Sequence, residues 1–169
     1  MTFAEQVAKF AQRTERRLAK TVSGAATKLA SNIVMGTPID LPSGPAGPSR
    51  PPWHDPKTIG RARGGWVAGF NPNLVSPTGR LDPSGQSTSR DAGLVYATYS
   101  PRTHTTLYLV NTVEYIGKLE FGGYEFANPN KTLPSGKISF QAPYGMMHVN
   151  VKAWPSLVSN AARVSRTVR

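Results

Sequence analysis

Seven of the chain's fifteen prolines fall between Pro38 and Pro56, and this cluster divides the sequence before anything else does. Proline lacks an amide donor and fixes φ, so neither a helix nor a central strand can cross the stretch. Residues 38–60 are therefore expected to form an extended, polyproline-like loop. Trp53 sits inside it. A large aromatic there either docks into a partner's pocket or packs back on its own domain.

Upstream of the prolines the pattern is helical. Phe3, Val7, Phe10, Thr14, Leu18, Val22, Ala25, Leu29 and Ile33 recur every three or four residues and fall on one stripe. Thr2 is placed to cap the start, and Gly36 followed by Thr37-Pro38 to end it. At about 1.5 Å per residue, a helix over 1–36 would run about 50 Å. That is more than a small domain needs to cover its own core. Either part of the stripe lies on a neighbouring subunit, or the helix breaks near Ser23-Gly24.

The remaining segments read as short elements. Gly64 to Phe70 reads as a first strand with Trp66, Ala68 and Phe70 on one face, Trp66 being the core anchor. Residues 71–90 form a surface loop, and Ser89 would cap a short helix to about Ala97. Thr105 to Val110 alternates as the clearest strand. Asn111 with Glu114 three residues on has the form of a capping box. The helix it opens would hold Tyr115, Ile116 and Leu119 and close at Gly122. After a loop over 122–137, Met146 to Val151 alternates as a strand, and Pro155 opens a last helix with an apolar face and opposing arginines.

The expected fold is thus α+β in one domain. It comprises a long N-terminal helix (1–36), a Pro-rich loop insertion (38–60), and a sheet region (61–151). That region holds a small, mostly antiparallel sheet with one or two short helices, and a C-terminal helix (153–169) follows. At 169 residues a second independent core is not expected. Leu, Ile, Val and Phe make up only about 21% of the chain, so a core forms while long stretches stay outside it.

The formal charge of +11 predicts attraction to polyanions or acidic protein surfaces. Glu125 is the last acidic residue, and Lys131, Lys137, Lys152, Arg163, Arg166 and Arg169 follow it. Lys9, Arg13, Arg16, Arg17 and Lys20 crowd the first helix. These cations face DNA or an acidic neighbour, or they simply solvate the surface.

The inventory for catalysis is thin. There is no cysteine, hence no disulfide or thiolate ligand. His54, His104 and His148 lack metal-ligand spacing, and no metal or cofactor is expected. No nucleophile elbow or phosphate-binding loop is present, and the nine carboxylates, Asp40 and Asp55 among them, form no obvious acid/base couple. His148 reads as a sheet residue rather than a base. No signal peptide or membrane span is expected, so the chain would fold in a cytoplasm.

Two clusters are more specific. Thr37-Pro38-Ile39-Asp40 precedes the Pro-rich loop, and Gly60-Arg61-Ala62-Arg63-Gly64-Gly65-Trp66 follows it. Later come Val110-Asn111-Thr112-Val113-Glu114-Tyr115-Ile116-Gly117-Lys118-Leu119-Glu120-Phe121-Gly122 and Gln141-Ala142-Pro143-Tyr144-Gly145-Met146. In this order, over nearly the whole chain, they resemble the tail-completion, or neck, proteins of long-tailed bacteriophages. Members typically carry Thr-Pro-Val-Asp-Thr-Gly-x-x-Arg-x-x-Trp after a first helix. Here about twenty residues separate Asp40 from Gly60, which reads as a loop insertion, where added length is cheap.

The resemblance implies a non-enzymatic virion subunit in a ring, a hexamer, between head connector or adaptor proteins and the tail tube or terminator. Genomic DNA would pass through the lumen without sequence recognition, and the chain would sit in the neck or tail after assembly in the host cytoplasm. Within that reading, Arg61 and Arg63 pair with carboxylates across a subunit boundary or stand exposed. Glu120, in the last turn of its helix, opposes the helix dipole and calls for a cationic partner, in its own or a neighbouring chain. Tyr115, Leu119 and Phe121 are core or intersubunit packing, and Arg163, Arg166 and Arg169 face DNA or an acidic partner. Alternatives are a tail-terminator or head-closure subunit, a basic nucleic-acid-binding protein lacking any known motif, and a hydrolase without recognisable signature.

Overall fold

The computed structural model describes residues 1–39, 59–121 and 145–167. The Pro-rich stretch with Trp53, Asp40 and Asp55, the Gly122 cap, the 122–137 loop, the 141–144 motif and Arg169 lie outside those residues.

The first helix, α1, spans Phe3–Gly36 without a break at Ser23-Gly24. Its capping box is closed by Thr2 and Glu5: the Thr2 hydroxyl accepts the Glu5 amide at 3.3 Å, and the Thr2 amide donates to Glu5 Oε2 at 2.8 Å. At the other end Thr37 turns extended, donates its amide to Val34 O, and is fully buried. Its hydroxyl donates to Ile33 O at 2.7 Å and accepts Trp66 Nε1 at 2.7 Å. The Thr-Pro that terminates the helix therefore also holds the indole.

The chain then forms α2 (Arg61–Gly64), β1 (Val67–Gly69), α3 (Gln86–Ala97), β2 (Tyr108–Val110), α4 (Ile116–Phe121), α5 (Met146–Lys152) and α6 (Trp154–Thr167). The strands pair antiparallel, with Val67 opposite Val110 and Gly69 opposite Tyr108. The fold is α+β, mostly helical, with a two-stranded sheet among the described residues.

Everything packs on the C-terminal half of α1. One cluster joins Ile33 and Val34 to Ala62, Trp66, Leu119 and Met146. A second joins Ala26 and Ala30 to Ala92 and Tyr96 of α3. Helix α6 runs antiparallel along α1: Ala161 Cβ lies 3.7 Å from where a Cβ on Gly24 would stand, and Ser165 Oγ is 3.1 Å from Thr21 Oγ1. Small residues at the crossing let the backbones approach.

Several expected elements are corrected. Met146 to Val151 is helical rather than a strand, because Glu120 caps the start of that segment from another helix. Residues 61–64 form a helical turn, so the first strand shrinks to three residues, as does the Thr105–Val110 strand. Gly60 makes that turn possible. It lies at φ +83°, and a Cβ there would stand 2.4 Å from Pro83 N.

Ser89 is not the cap of α3. Buried Asp82 caps it from outside, accepting the Gly85 amide at 2.9 Å and the Thr88 amide at 2.8 Å. Burial alone would raise the Asp82 carboxyl, but these bonds and one from Ser84 outweigh it and hold the group below its ordinary range. Nor does Asn111 open a capping box. Its side chain bridges instead, donating to Ala62 O at 2.8 Å and accepting the Val113 amide at 3.1 Å, and α4 begins only at Ile116.

Helix α3 is tied to the sheet by Tyr96, whose hydroxyl donates to Tyr108 O at 2.7 Å. Burial pushes its phenol up to about 12. The fold thus favours the neutral form. The resulting stability is complete below the unfolded value of about 10 and lost as pH rises through the folded one. In an alkaline absorbance titration of the native chain, one tyrosine is expected to ionise last, and Tyr96→Phe to remove that step at a cost of about 1 kcal/mol.

Candidate assembly surface

Residues 1–14 of α1 are all exposed. The fold lets go of the helix near Glu15, where Arg102 pairs with its carboxylate, and α6 ends beside the turn at Thr21. About 20 Å of helix therefore stands clear of the core. It is not polar all round. Phe3 is 81% and Phe10 73% exposed, and Val7 and Leu18 are about half exposed.

On a wheel of about 100° per residue, Phe3, Val7, Phe10, Thr14 and Leu18 share an arc of about 80°. Lys9, Arg13, Arg16, Arg17 and Lys20 occupy the adjoining arc of about 100°. No ion pair within the described residues involves any of these five. The last turns of α6 bring Arg163 and Arg166, both exposed, to the same end of the molecule. Arg163 donates locally to Asn160 Oδ1. An amphipathic rod with an apolar stripe and a basic edge thus projects from a folded body.

Arg61, Arg63 and Glu120, also predicted as contacts, have partners within the chain. Arg61 pairs with Glu114 at 3.0 Å across the fold. With the Asn111–Ala62 bond, this brings the 60–66 and 110–115 motifs together. Arg63 donates from Nε and Nη2 to Thr37 O at 3.1 and 2.8 Å, from Nη2 to Met35 O at 3.1 Å, and from Nη1 to Pro83 O. It closes the end of α1. Burial holds its guanidinium below the ordinary value, with Asp82 partly offsetting this.

Among the described residues no cation pairs with Glu120. Its carboxylate accepts the amides of Met146, Met147 and His148 at 2.8, 2.9 and 2.9 Å, so the positive end of α5 satisfies it. Gly145, at φ +71°, is forced by the approach, since a Cβ there would stand 2.6 Å from Glu120 Oε1. Glu120→Ala is expected to lower the unfolding free energy by about 2 kcal/mol. Denaturant unfolding checks the loss, and faster amide exchange at residues 146–148 locates it.

Tyr115 packs half-buried on the first core cluster. Phe121 is exposed and, with Met147 and Val151, lines a shallow cleft of about 290 Å³. A second cleft of about 310 Å³ lies between α1 and residues 99–102, and its carboxylate, Glu15, is already engaged by Arg102. His104 stacks on Phe70 with ring centroids 3.8 Å apart. Among the described residues, no three His, Asp or Glu side chains converge as a metal site, and no helix is long and apolar enough to cross a membrane.

Asp82 and Asn111 organise this framework; the sequence reading missed Asp82 and took Asn111 only for a helix cap. The Asp82-Pro83-Ser84-Gly85 run is a turn signature that marks the first. Comparison of the chain with protein-family models, with curated proteins and with solved structures yields no match.

Proposed function

We propose that the chain is a non-enzymatic structural subunit of a long-tailed phage particle. In this reading it is a tail-completion or neck protein that acts in a ring, a hexamer, between the head connector and the tail tube. The observation that supports this best is the projecting half of α1, whose phenylalanines Phe3 and Phe10 are largely exposed. An isolated domain gains nothing from exposing such a stripe; a subunit that buries it on assembly does. The ordered motif resemblance supplies the virion context. The exposed cations at the same end suit DNA passing close by, with no sequence readout.

A nucleic-acid-binding protein is the reading that the charge alone favours. Light scattering on the purified chain, with and without the neck components of its phage, separates the two. A defined ring formed only with those components is the expected result. A chain that ignores them and co-elutes with duplex DNA overturns the proposal.

A further inference from the structure

We infer that the projecting half of α1 is a helix-shaped docking surface for a different protein, one presenting an apolar strip edged by carboxylates. The inference names the partner chemistry of the assembly surface proposed above and rests on that reading. Described residues of α6 lie against α1 at Thr21 and Gly24. The uncovered stripe at Phe3, Val7, Phe10 and Leu18 lies on the turns of α1 that precede this contact, and a partner helix fits such a stripe.

Charge decides against a second copy. The edge of the stripe carries Lys9, Arg13, Arg16, Arg17 and Lys20, with Arg163 and Arg166 nearby, so two such helices side by side repel. Nor does the described body of another copy offer a free acidic rim. Glu5 closes the α1 capping box, Glu15 pairs with Arg102, and Glu114 with Arg61. Asp91 pairs with Arg80, while Asp82 and Glu120 cap α3 and α5. Every described carboxylate is already engaged. The cleft at Phe121, Met147 and Val151 is edged by Lys152 and His148, which is again the wrong sign.

The test uses the full chain and a labelled synthetic amphipathic helix with a leucine stripe flanked by glutamates, read by fluorescence anisotropy. Lysine-flanked and serine-striped versions, duplex DNA and phosphatidylserine vesicles serve as competing probes. The acidic helix is expected to bind in a salt-sensitive way. Phe3→Ser with Phe10→Ser should weaken it about 100-fold, with unchanged thermal unfolding because both side chains are exposed. Reversing Arg13, Arg16 and Arg17 to glutamate should transfer preference to the lysine-flanked helix.

Indifference to the flanking charge overturns the inference. So does self-association of the free chain that the Phe variants abolish, which would make the occupant a second copy. Vesicle or duplex binding that needs Phe3 and Phe10, with no binding of the acidic helix, overturns it too. Joining the neck components independently of Phe3 and Phe10 would remove the docking surface and leave the ring reading standing. Acidic-helix binding without neck assembly would do the reverse.

Discussion

Trp66→Ala is expected to remove most of the chain's stability. The indole is 3% exposed and belongs to the core cluster of Ile33, Val34, Ala62, Leu119 and Met146, which draws on α1, α2, α4 and α5. Truncating a buried tryptophan costs about 3–5 kcal/mol through lost burial and the cavity left behind. A small domain commonly has about 5–15 kcal/mol in total. The Nε1 donor to Thr37 Oγ1 is lost as well, at the point where α1 ends. Trp66→Phe keeps much of the packing but not the bond, and about 1–2 kcal/mol is expected. Denaturant unfolding followed by circular dichroism measures both. A shift for Trp66→Ala no larger than a surface substitution gives would show that the core lies elsewhere.

Such a variant would lose assembly because it loses its fold, whereas Phe3 and Phe10 should lose assembly with the fold intact. That contrast follows from how α1 is used. Its C-terminal half carries both core clusters, and residues 3–14 are exposed.

The features that were legible in the sequence are those carried by local periodicity or local chemistry. The stripe from Phe3 to Ile33, the Thr2 cap and the stop at Gly36-Thr37 each depend on neighbours within a few residues, and each stands as read. Trp66 as core anchor was legible because a lone tryptophan in an apolar run has few other places to go. The length of α1 against the small apolar content also pointed to surface left uncovered.

The misreadings have a common cause: a residue's backbone or side chain is satisfied by a segment distant in sequence. Alternation over Met146–Val151 fits a strand, but three amides there point at Glu120, twenty-six residues or more away, and the segment coils. Asn111 and Glu114 have capping-box spacing, yet their side chains go to Ala62 and Arg61 instead. In each case a polar group with a short-range option took a long-range one that also joins two parts of the fold. Spacing alone carries no information about that choice.

Arg63 is the sharpest instance, and its substitution is the second large effect expected. The last carbonyls of a helix have no partners within it, and the end carries partial negative charge. At the end of α1 the carbonyls of Met35 and Thr37 turn to one planar guanidinium, which also reaches Pro83 O in the loop before α3. One side chain thus ties the exit of α1 to the cap of α3. Arg63→Ala leaves these carbonyls without a charged donor, and a loss of about 2–4 kcal/mol is expected. Arg63→Lys should recover less than half, because a single ammonium cannot span the fan of acceptors that a fork covers. Thermal unfolding gives the loss, and amide exchange in the last turn of α1 should accelerate in both variants. If stability and exchange were instead unchanged while assembly with the neck components failed, Arg63 would be a contact across a subunit boundary. The fan of carbonyls at the end of α1 would then need another donor.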